Sequence, residues 1–324
     1  LAYRKKIKII KSDLFSNIKG VFDTIVFNPP YLPEDEREPG GWLKKATTGG
    51  KKGWETIENF LNNLAEFLDS KGKTLLLFSS LTNKEKIDQL IQDRLFDYKK
   101  LSQKKLSFET LYVYEITKST VLKDLEKKKI TNVRKFAHGH RGIVYQAMMG
   151  KKKIAIKVQK DKKGPDRIRN EVYWLKELNK KNIAPKFIFT DRTYFVMEFV
   201  EGQMIWDFIA ANDKTAIKKI IKNVFDQCSA MDQIGVNKEE MHHPIKHLLI
   251  VGDRVIMIDF ERCRRTKDPK NVTQFAQFIT STSFLVALMG KGFTINQDKI
   301  RRLAKIYKSN MCTRNLDKII KEVK

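Results

Sequence analysis

The sequence predicts an α/β protein with a doubly wound sheet in residues 1–118, a linker or short helix at 119–131, and an α+β, two-lobed domain in 132–324. Three observations support this division. The 324 residues exceed what one hydrophobic core usually organises. Apolar strands alternate with amphipathic helices in the first third, which is typical of a doubly wound sheet. The charged run Lys123–Lys129 then separates this third from a new series of strands.

The elements of the first domain follow from apolar patterning. Short apolar runs predict strands at Lys6–Ile10, Val21–Phe27, Thr74–Phe78 and Thr110–Ile116. Apolar residues at helical spacing predict helices at Ile57–Leu68, ended by Gly72, and at Lys84–Leu95. The breaker-rich segments Glu34–Gly41 and Thr48–Gly53 predict a surface loop over the site and a flexible loop before the first helix.

The first candidate site is the turn Asn28-Pro29-Pro30-Tyr31, which ends the Val21–Phe27 strand. Two prolines after a buried strand predict a rigid turn at the carboxyl edge of the sheet, where α/β folds place their sites. The Asn28 side-chain oxygen and the Pro29 carbonyl can both accept hydrogen bonds from one planar –NH2 group, and Tyr31 adds a flat wall. This suits methyl transfer to an amide or an exocyclic amine. The alternative is a Pro-Pro turn that only caps a strand.

The amino-acid composition limits the kinds of binding partner and the cellular compartment that we expect for this protein. Lys and Arg number 64 against 38 Asp and Glu, and a net charge of +26 favours RNA or ribonucleoprotein partners. Solvated lysine-rich helix faces explain the same charge equally well. Cys228, Cys263 and Cys312 show neither a disulfide framework nor metal-ligand spacing, which fits a reducing cytoplasm. We expect no membrane association, because no apolar run approaches the roughly 20 residues needed to cross a bilayer and no signal peptide opens the chain.

The first domain resembles a known enzyme family. The segments from Asp13 through Asn28–Tyr31, Trp42 and Gly49–Gly53 to the strand at Tyr112 agree in order and spacing with HemK-type S-adenosylmethionine-dependent methyltransferases of the archaeal and eukaryotic branch. The resemblance covers about the first 117 residues and implies the C-terminal part of a doubly wound (Rossmann-like) SAM methyltransferase sheet.

This resemblance implies a substrate, a cofactor and partners. The reaction would be N5-methylation of the glutamine in the Gly-Gly-Gln loop of a translation release factor, with Asn28 and Pro29 gripping the amide and Pro30 and Tyr31 completing the site. Asp13 would lie near the adenine of S-adenosylmethionine. A small zinc-binding activator protein would be a further partner. Amino-methylating DNA and RNA enzymes share the turn, so an N6-adenine acceptor is the alternative.

One departure from the family concerns the cofactor. No glycine-rich strand–turn–helix loop and no acidic residue ending a second strand precede Asp13, although such enzymes bind their cofactor with these elements. Without the intervening strands, Val21–Phe27 would be an uncovered hydrophobic edge. We therefore expect the chain to be an N-terminally truncated fragment that does not bind the cofactor usefully.

The second domain carries a glycine turn, a lysine and a carboxylate in a fixed order. Gly139 and Gly142 lie between two strands, the next strand, Lys153–Val158, contains Lys157, and a helix at Asp166–Asn179 contains Glu171. The strand Tyr194–Gly202 leads into a hinge at Glu198, and Asp259 ends the strand that starts at Val255. Glycines let N–H groups approach phosphates, a lysine held by an acid can pair with them, and a strand-end carboxylate suits Mg2+. Each feature alone also fits a plain hairpin, an edge lysine or a solvated acid.

In this order the features resemble a compact protein-kinase-like fold of the RIO and archaeal small-kinase type, over Asn132–Lys324 with terminal helices at Asp298–Lys308 and Asn315–Val323. The resemblance implies that Lys157 contacts the ATP phosphates and pairs with Glu171. It also implies that Met197–Phe199 bracket adenine and that Asp259 holds Mg2+. Glu261 stands where the family usually has glycine.

The catalytic loop departs further from that family. Counting back from the Leu248–Ile250 strand places His242 at the position of the catalytic base and His247 at the metal-ligand position. An imidazole accepts a proton but binds Mg2+ poorly. The missing carboxylate could come from Glu239, Glu240 or Asp232, and a zinc site of His242, His243 and His247 has non-standard spacing. The rival prediction is a nucleotide-binding pseudokinase that docks on RNA.

Overall fold

The computed structural model describes residues 7–35, 41–139, 142–159 and 167–324. Contacts divide the chain into two compact units, Leu1–Phe136 with Ala147–Lys152, and Ala137–Gln146 with Lys153–Lys324. Among the described residues, no single helix has the length and hydropathy to cross a membrane. The pair Asn271–Ile279 and Thr282–Gly290 meets that test only jointly, across a bend of 62°.

The first unit contains a four-stranded sheet in the order β1-β2-β4-β3. Its strands are β1 (Phe22–Phe27), β2 (Leu68–Ser79), β3 (Phe96–Lys105) and β4 (Thr110–Lys118). β1 runs parallel to β2, whereas β4 is antiparallel to both β2 and β3. The helices are α1 (Trp42–Thr47), α2 (Glu55–Phe67), α3 (Lys84–Gln92) and α4 (Thr120–Lys127). The unit is therefore mixed α/β, with β1 at one edge of the described sheet, where Val26 is 72% exposed.

The apolar spacing of α2 buries one face of the helix. Ile57, Phe60, Leu61 and Leu64 are all buried, as their three- and four-residue spacing predicts. The helix ends at Phe67, so the predicted terminator Gly72 lies inside β2 instead. A side chain at Gly72 would come within 2.9 Å of the Phe22 carbonyl oxygen, so the glycine permits β1 to approach.

Two features of this unit differ from the predictions, whereas the segment 119–131 contains the short helix that is one of its two predicted forms. Residues 7–10 do not form the predicted strand. Ile9 is 94% exposed, so the alternating apolar side chains of this segment do not bury a common face against the described residues. Lys6, the first residue of the predicted strand, lies outside the described residues. Strand β3 was not predicted, because its lysine-rich sequence lacks an apolar face, as is typical of an edge strand. The segment 119–131 contains α4, which Ser119 caps and whose Val121, Leu122 and Leu125 are buried.

A second, five-stranded sheet has the order β5-β6-β7-β9-β8. Its strands are β5 (Ile130–His138), β6 (Gly142–Met149), β7 (Lys152–Gln159), β8 (Phe187–Thr190) and β9 (Tyr194–Glu198). Helix α5 (Arg167–Asn179) lies between β7 and β8 in the chain, and the predicted start of this helix, Asp166, lies outside the described residues. Buried Ile168, Val172, Leu175 and Leu178 of α5 join the core of the second unit.

The rest of the second unit is largely helical. Its helices are α6 (Ile205–Ala211), α7 (Lys214–Gln233), α8 (Asn271–Ile279), α9 (Thr282–Gly290), α10 (Gln297–Ser309) and α11 (Thr313–Lys321). Short strands β10 (Gln203–Met204), β11 (Val236–Asn237), β12 (Leu248–Val251), β13 (Arg254–Met257) and β14 (Arg264–Arg265) connect them. The core is centred on the rings of Phe225, Phe275, Phe278 and Phe284. The unit is α+β, and β12 and β13 deliver Asp259 and its neighbours to a common region.

Candidate functional sites

The Asn28–Tyr31 turn begins where β1 ends, beside the parallel strand β2. Pro29 is buried, while Asn28 is exposed and Tyr31 is partly exposed. A fixed proline under an accessible amide side chain gives a rigid turn at the carboxyl ends of two parallel strands. Such a turn can present two oxygen acceptors to a planar –NH2 group.

The loop Gly49–Gly53 packs directly against this turn. The Gly49 N–H donates to the Leu32 carbonyl (2.9 Å), and the Glu34 N–H donates to the Gly50 carbonyl (3.1 Å). A Cβ atom at Gly49 would lie 2.6 Å from the Pro30 oxygen, and one at Gly53 would lie 2.6 Å from the Tyr31 oxygen. Only glycine allows this approach. The loop predicted to be flexible is thus tied to the turn by backbone hydrogen bonds.

Two polar residues near the turn were not predicted. Thr82 Oγ1 donates to the Tyr31 carbonyl oxygen (3.1 Å) and so fixes the end of the turn. Burial and the nearby Glu109 carboxylate raise the pKa of Tyr31, which keeps its phenol protonated. Glu109 itself accepts a hydrogen bond from Ser79, the last residue of β2. The sequence feature that could have identified these polar residues is their position next to the ends of apolar strands.

Asp13 lies in a separate cleft of about 430 Å³. The cleft is lined by Asp13, Leu14, Phe15, Ser16, Asn59, Asn63, Glu66 and Phe67. The Phe15 ring stacks on that of Phe67, with centroids 4.3 Å apart. A carboxylate acceptor beside aromatic walls fits an adenine, whose amino group donates hydrogen bonds. These residues therefore fit the adenine end of S-adenosylmethionine.

The second site is centred on Lys157. Its Nζ lies 2.7 Å from a carboxylate oxygen of Glu171 and 3.3 Å from Oδ1 of Asp259. Burial would lower the pKa of Lys157, but Glu171 and Asp259 outweigh it and raise the pKa to about 12. The ammonium is therefore charged at any physiological pH. Lys157, Glu171 and Asp259, which the sequence predicts to act together, lie in one cluster.

The glycine turn lies over this lysine. The Gly139 N–H donates to the Gly142 carbonyl (2.9 Å), and a Cβ atom at Gly142 would lie 3.4 Å from Cε of Lys157. The space above Lys157 is thus kept open by a missing side chain, which fits a phosphate group. The tip of the turn, His140 and Arg141, lies outside the described residues.

The catalytic-loop residues are arranged differently from the prediction. His242 is exposed, and in the described chain no hydrogen bond or ion pair joins it to the Lys157 cluster. Glu240 instead approaches the cluster, with Oε2 3.6 Å from Nε2 of His247, and it also pairs with Arg262. His247 Nε2 lies 3.9 Å from Asp259 Oδ2. Of Glu240 and His242, Glu240 is therefore the one whose side chain reaches His247.

The other two candidate carboxylates have different partners. Asp232 is buried and accepts hydrogen bonds from the N–H groups of Asn271 and Val272 at the start of α8. Glu239 pairs with Arg264 (3.0 Å). Asp232 is thus a helix cap, and Glu239 belongs to an exposed ion pair.

Two remaining predictions concern the hinge and the metals. The N–H of Glu198 donates to the Lys186 carbonyl (2.8 Å), and its carboxylate accepts from the Lys186 N–H (3.3 Å), so this side chain contacts the residue that precedes β8. Among the described residues, the group of side chains spaced to hold one metal ion is Glu171, Asp259 and Glu261. His242 and His243 are exposed and do not form such a group with His247.

Burial and charge set the protonation of the metal-ligand candidates. Burial, followed by the positive charge of Lys238, lowers the pKa of His247 to about 4, so the imidazole is neutral. For Asp259, burial is overcome by Lys157 and Lys238, which lower its pKa and keep it ionised. One carboxylate and one neutral imidazole therefore face each other, and both can bind a cation.

No family model matches the chain. A "Putative protein N5-glutamine methyltransferase" of Methanocaldococcus jannaschii is 38% identical over 108 residues, which are 33% of this chain and 55% of that protein. The release factor glutamine methyltransferase of Borreliella burgdorferi is 36% identical over 81 residues (24% and 28%). The ribosomal protein uL3 glutamine methyltransferase of Neisseria meningitidis is 35% identical over 77 residues (22% and 25%).

Part of the chain is also similar to a protein of known structure. It is the E. cuniculi Mtq2–Trm112 complex, described as methylating the eRF1 translation termination factor, at 25% identity and a TM-score of 0.28 over 34% of this chain and 60% of that one. The chain spans about half the length of its M. jannaschii relative and about a quarter of the two bacterial ones. The kinase-like resemblance of residues 132–324 stays a prediction. Homologues named as protein glutamine methyltransferases thus cover about a third of the chain.

Proposed function

We propose that the first unit belongs to an enzyme that methylates the side-chain amide nitrogen of a protein glutamine, with a translation release factor as substrate. The observation that carries this proposal is the rigid Asn28–Tyr31 turn, locked by Gly49 and Gly53 at the carboxyl end of β1. Relatives named as glutamine methyltransferases of release factors and of a ribosomal protein support the amide as acceptor. A small zinc-binding activator protein remains a predicted partner.

The residues of the turn would position the substrate amide. Asn28 Oδ1 and the Pro29 carbonyl accept its two N–H groups, which orients the nitrogen lone pair outward. S-adenosylmethionine, when bound, supplies an electrophilic methyl group, and Asp13 would hold its adenine. The amide nitrogen would take the methyl group as the bond from that methyl to the sulfonium sulfur breaks, and the displaced proton would pass to bulk water. The Asn28 and Pro29 oxygens would stabilise the positive charge that develops on the nitrogen by accepting stronger hydrogen bonds from its N–H groups.

The first prediction tests Asn28 in the protein purified from its native open reading frame. Asn28→Ala should slow methyl transfer to a release factor about 10²–10³-fold, because one acceptor in the transition state is lost. Cofactor affinity should change little. The measurement is transfer of tritiated methyl to release factor and to uL3, followed by mass spectrometry of the modified glutamine.

Asn62→Ala, at an exposed position of α2 where Asn62 contacts Arg94, is the matched control and should leave the rate unchanged. Release-factor methylation that survives Asn28→Ala would remove Asn28 from the site. Methylation of adenine in DNA or RNA, with protein glutamine untouched, would replace the proposal with the nucleic-acid alternative.

For the second unit we propose binding of ATP with a divalent cation, and slow phosphoryl transfer to a protein hydroxyl. The cluster of Lys157, Glu171 and Asp259 carries this proposal, because a fixed cation beside the ionised carboxylate of Asp259 suits a metal–triphosphate complex. Glu240 would accept the hydroxyl proton, and its ion pair with Arg262 would hold its carboxylate in place.

The second prediction separates Glu240 from His242. Glu240→Gln should reduce autophosphorylation at least about 10²-fold and preserve the thermal shift caused by metal–ATP, because the amide cannot accept the proton. His242→Gln should retain both the autophosphorylation rate and the thermal shift caused by metal–ATP. Equal labelling in wild type and Glu240→Gln, with loss in His242→Gln, would restore His242 as the base. Nucleotide binding without labelling in wild type would instead support the pseudokinase alternative.

A further inference from the structure

The imidazole of His247 presents one nitrogen to two carboxylates. Nε2 lies 3.6 Å from Glu240 Oε2 and 3.9 Å from Asp259 Oδ2. Nδ1 is buried and has no hydrogen-bond partner among the described residues. The side chain is only 15% exposed, so its orientation is set by packing. Nε2 is therefore the atom that can bind a ligand between these carboxylates.

The spacing allows one ion to bind both Asp259 and His247. Donors on a single ion with bonds of about 2.1 Å can be up to about 4.2 Å apart. The 3.9 Å between Asp259 Oδ2 and His247 Nε2 lies within that limit. The other Asp259 oxygen, Oδ1, faces Lys157 at 3.3 Å. Asp259 can thus bind a cation with one oxygen while the other still contacts Lys157.

The donor set determines which cation is preferred. Mg2+ prefers oxygen ligands, whereas an imidazole nitrogen suits first-row transition metals. Carboxylate and triphosphate oxygens would make up the remaining donors, and such a set suits Mn2+ better than Zn2+, which favours four ligands rich in nitrogen or sulfur. Resting on the proposed nucleotide binding, we propose that this site takes Mn2+–ATP in preference to Mg2+–ATP, with His247 Nε2 and Asp259 Oδ2 as ligands.

The third prediction compares the two metals on the full chain. ATP binding is measured by calorimetry with Mn2+ or Mg2+, and the ratio of the two dissociation constants is compared between wild type and His247→Asn. The variant replaces the nitrogen donor by an oxygen, so the preference for Mn2+ should fall about tenfold. Pulsed electron paramagnetic resonance of bound Mn2+ should show coupling to a ¹⁴N nucleus in wild type and none in the variant.

His242→Asn is the matched control, because His242 is an exposed imidazole of the same loop, and it should leave ratio and coupling unchanged. An unchanged ratio in His247→Asn together with no nitrogen coupling in wild type would overturn the proposal. If neither metal–ATP complex binds, the nucleotide function itself fails. If His247→Asn does not fold, the coupling of Mn2+ to ¹⁴N is compared between the wild-type protein, where it should be present, and His247→Gln, where it should be absent.

Discussion

Lys238 is a buried cation beneath the second site. It is 1% exposed, and its Nζ donates to the carbonyl oxygens of Ile258 (2.9 Å) and Asp259. A buried ammonium is costly unless its donors are satisfied; these two carbonyls accept two of its three N–H groups, and Nζ also lies 4.9 Å from the centre of the Phe260 ring. Asp259 has φ +63°, an uncommon conformation for a side-chain-bearing residue. Lys238 therefore helps to hold this backbone. Burial lowers the pKa of Lys238 itself, and the charge of its protonated form, after that of Lys157, lowers the pKa of Asp259.

Single residues were predictable where a short pattern determines their position. Lys157 follows from a lysine inside an apolar strand, and Asp259 from a carboxylate at a strand end. Glu240 was only one of three candidates for the missing carboxylate. Counting residues along a loop gives the sequence distance from a strand but not the position of a side chain in space. Glu240 has φ +78°, so the chain reverses there and leaves His242 exposed while Glu240 points back towards His247. The buried Lys238 gave no signal, since lysines occur throughout this sequence.

At the scale of elements, periodicity located the structures that bury an apolar face. Helices α2 and α3 and strand β4 begin within two residues of the predicted positions. Helix α1 and strand β3 were missed, because neither carries enough apolar residues to show a period. The role of Gly72 was misjudged for a related reason: a glycine can end a helix or admit a neighbouring strand, and sequence alone does not distinguish the two.

The Gly49–Gly53 loop supports the fourth prediction. Gly53 has φ +85°, and a Cβ atom there would lie 2.6 Å from the Tyr31 oxygen and 2.9 Å from the Pro33 nitrogen. Gly53→Ala should lower the free energy of unfolding by about 2–4 kcal/mol, since it adds a collision to the strain of a left-handed backbone. Chemical denaturation monitored by tryptophan fluorescence measures this loss.

Gly20→Ala separates the two causes. Gly20 has φ +99°, but nothing lies within 4 Å of a Cβ atom there. This variant should lose only the conformational part, about 1–2 kcal/mol. Equal losses in the two variants would show that the loop is not packed against the Asn28–Tyr31 turn. A larger loss at Gly53 would support the turn as a rigid, preformed site.

For the whole molecule, charge and packing carry different information. The net charge of +26 is a sum over lysines and arginines spread through both units, so it predicts an anionic partner such as RNA without locating a surface. Burial is local: each unit has its own apolar core, and the patterns that predict those cores lie within each unit. Stability is nevertheless a property of a whole cooperative unit, and one buried acid links it to pH.

That acid is Asp232, at the C-terminal end of α7. It is 4% exposed and accepts hydrogen bonds from the N–H groups of Asn271 and Val272, while Asn271 also donates through its side chain (2.7 Å). Burial raises its pKa from 3.8 to about 6, against the opposing effect of these hydrogen bonds. The folded state thus holds this proton more tightly than the unfolded state does.

The fifth prediction follows from the sign of this shift. Because the folded pKa is the higher one, the contribution of Asp232 is most favourable below pH 3.8 and is lost as pH rises towards 6. Between pH 5 and 7 the free energy of unfolding of wild type should fall by about 1 kcal/mol relative to Asp232→Asn, which cannot titrate. Urea denaturation at several pH values measures the difference.

Asp226→Asn, a half-exposed position on the same helix, is the matched control and should give a curve parallel to wild type. A constant difference between wild type and Asp232→Asn across this range would show that Asp232 has the same proton affinity in both states, and hence that its hydrogen bonds to α8 fully offset its burial.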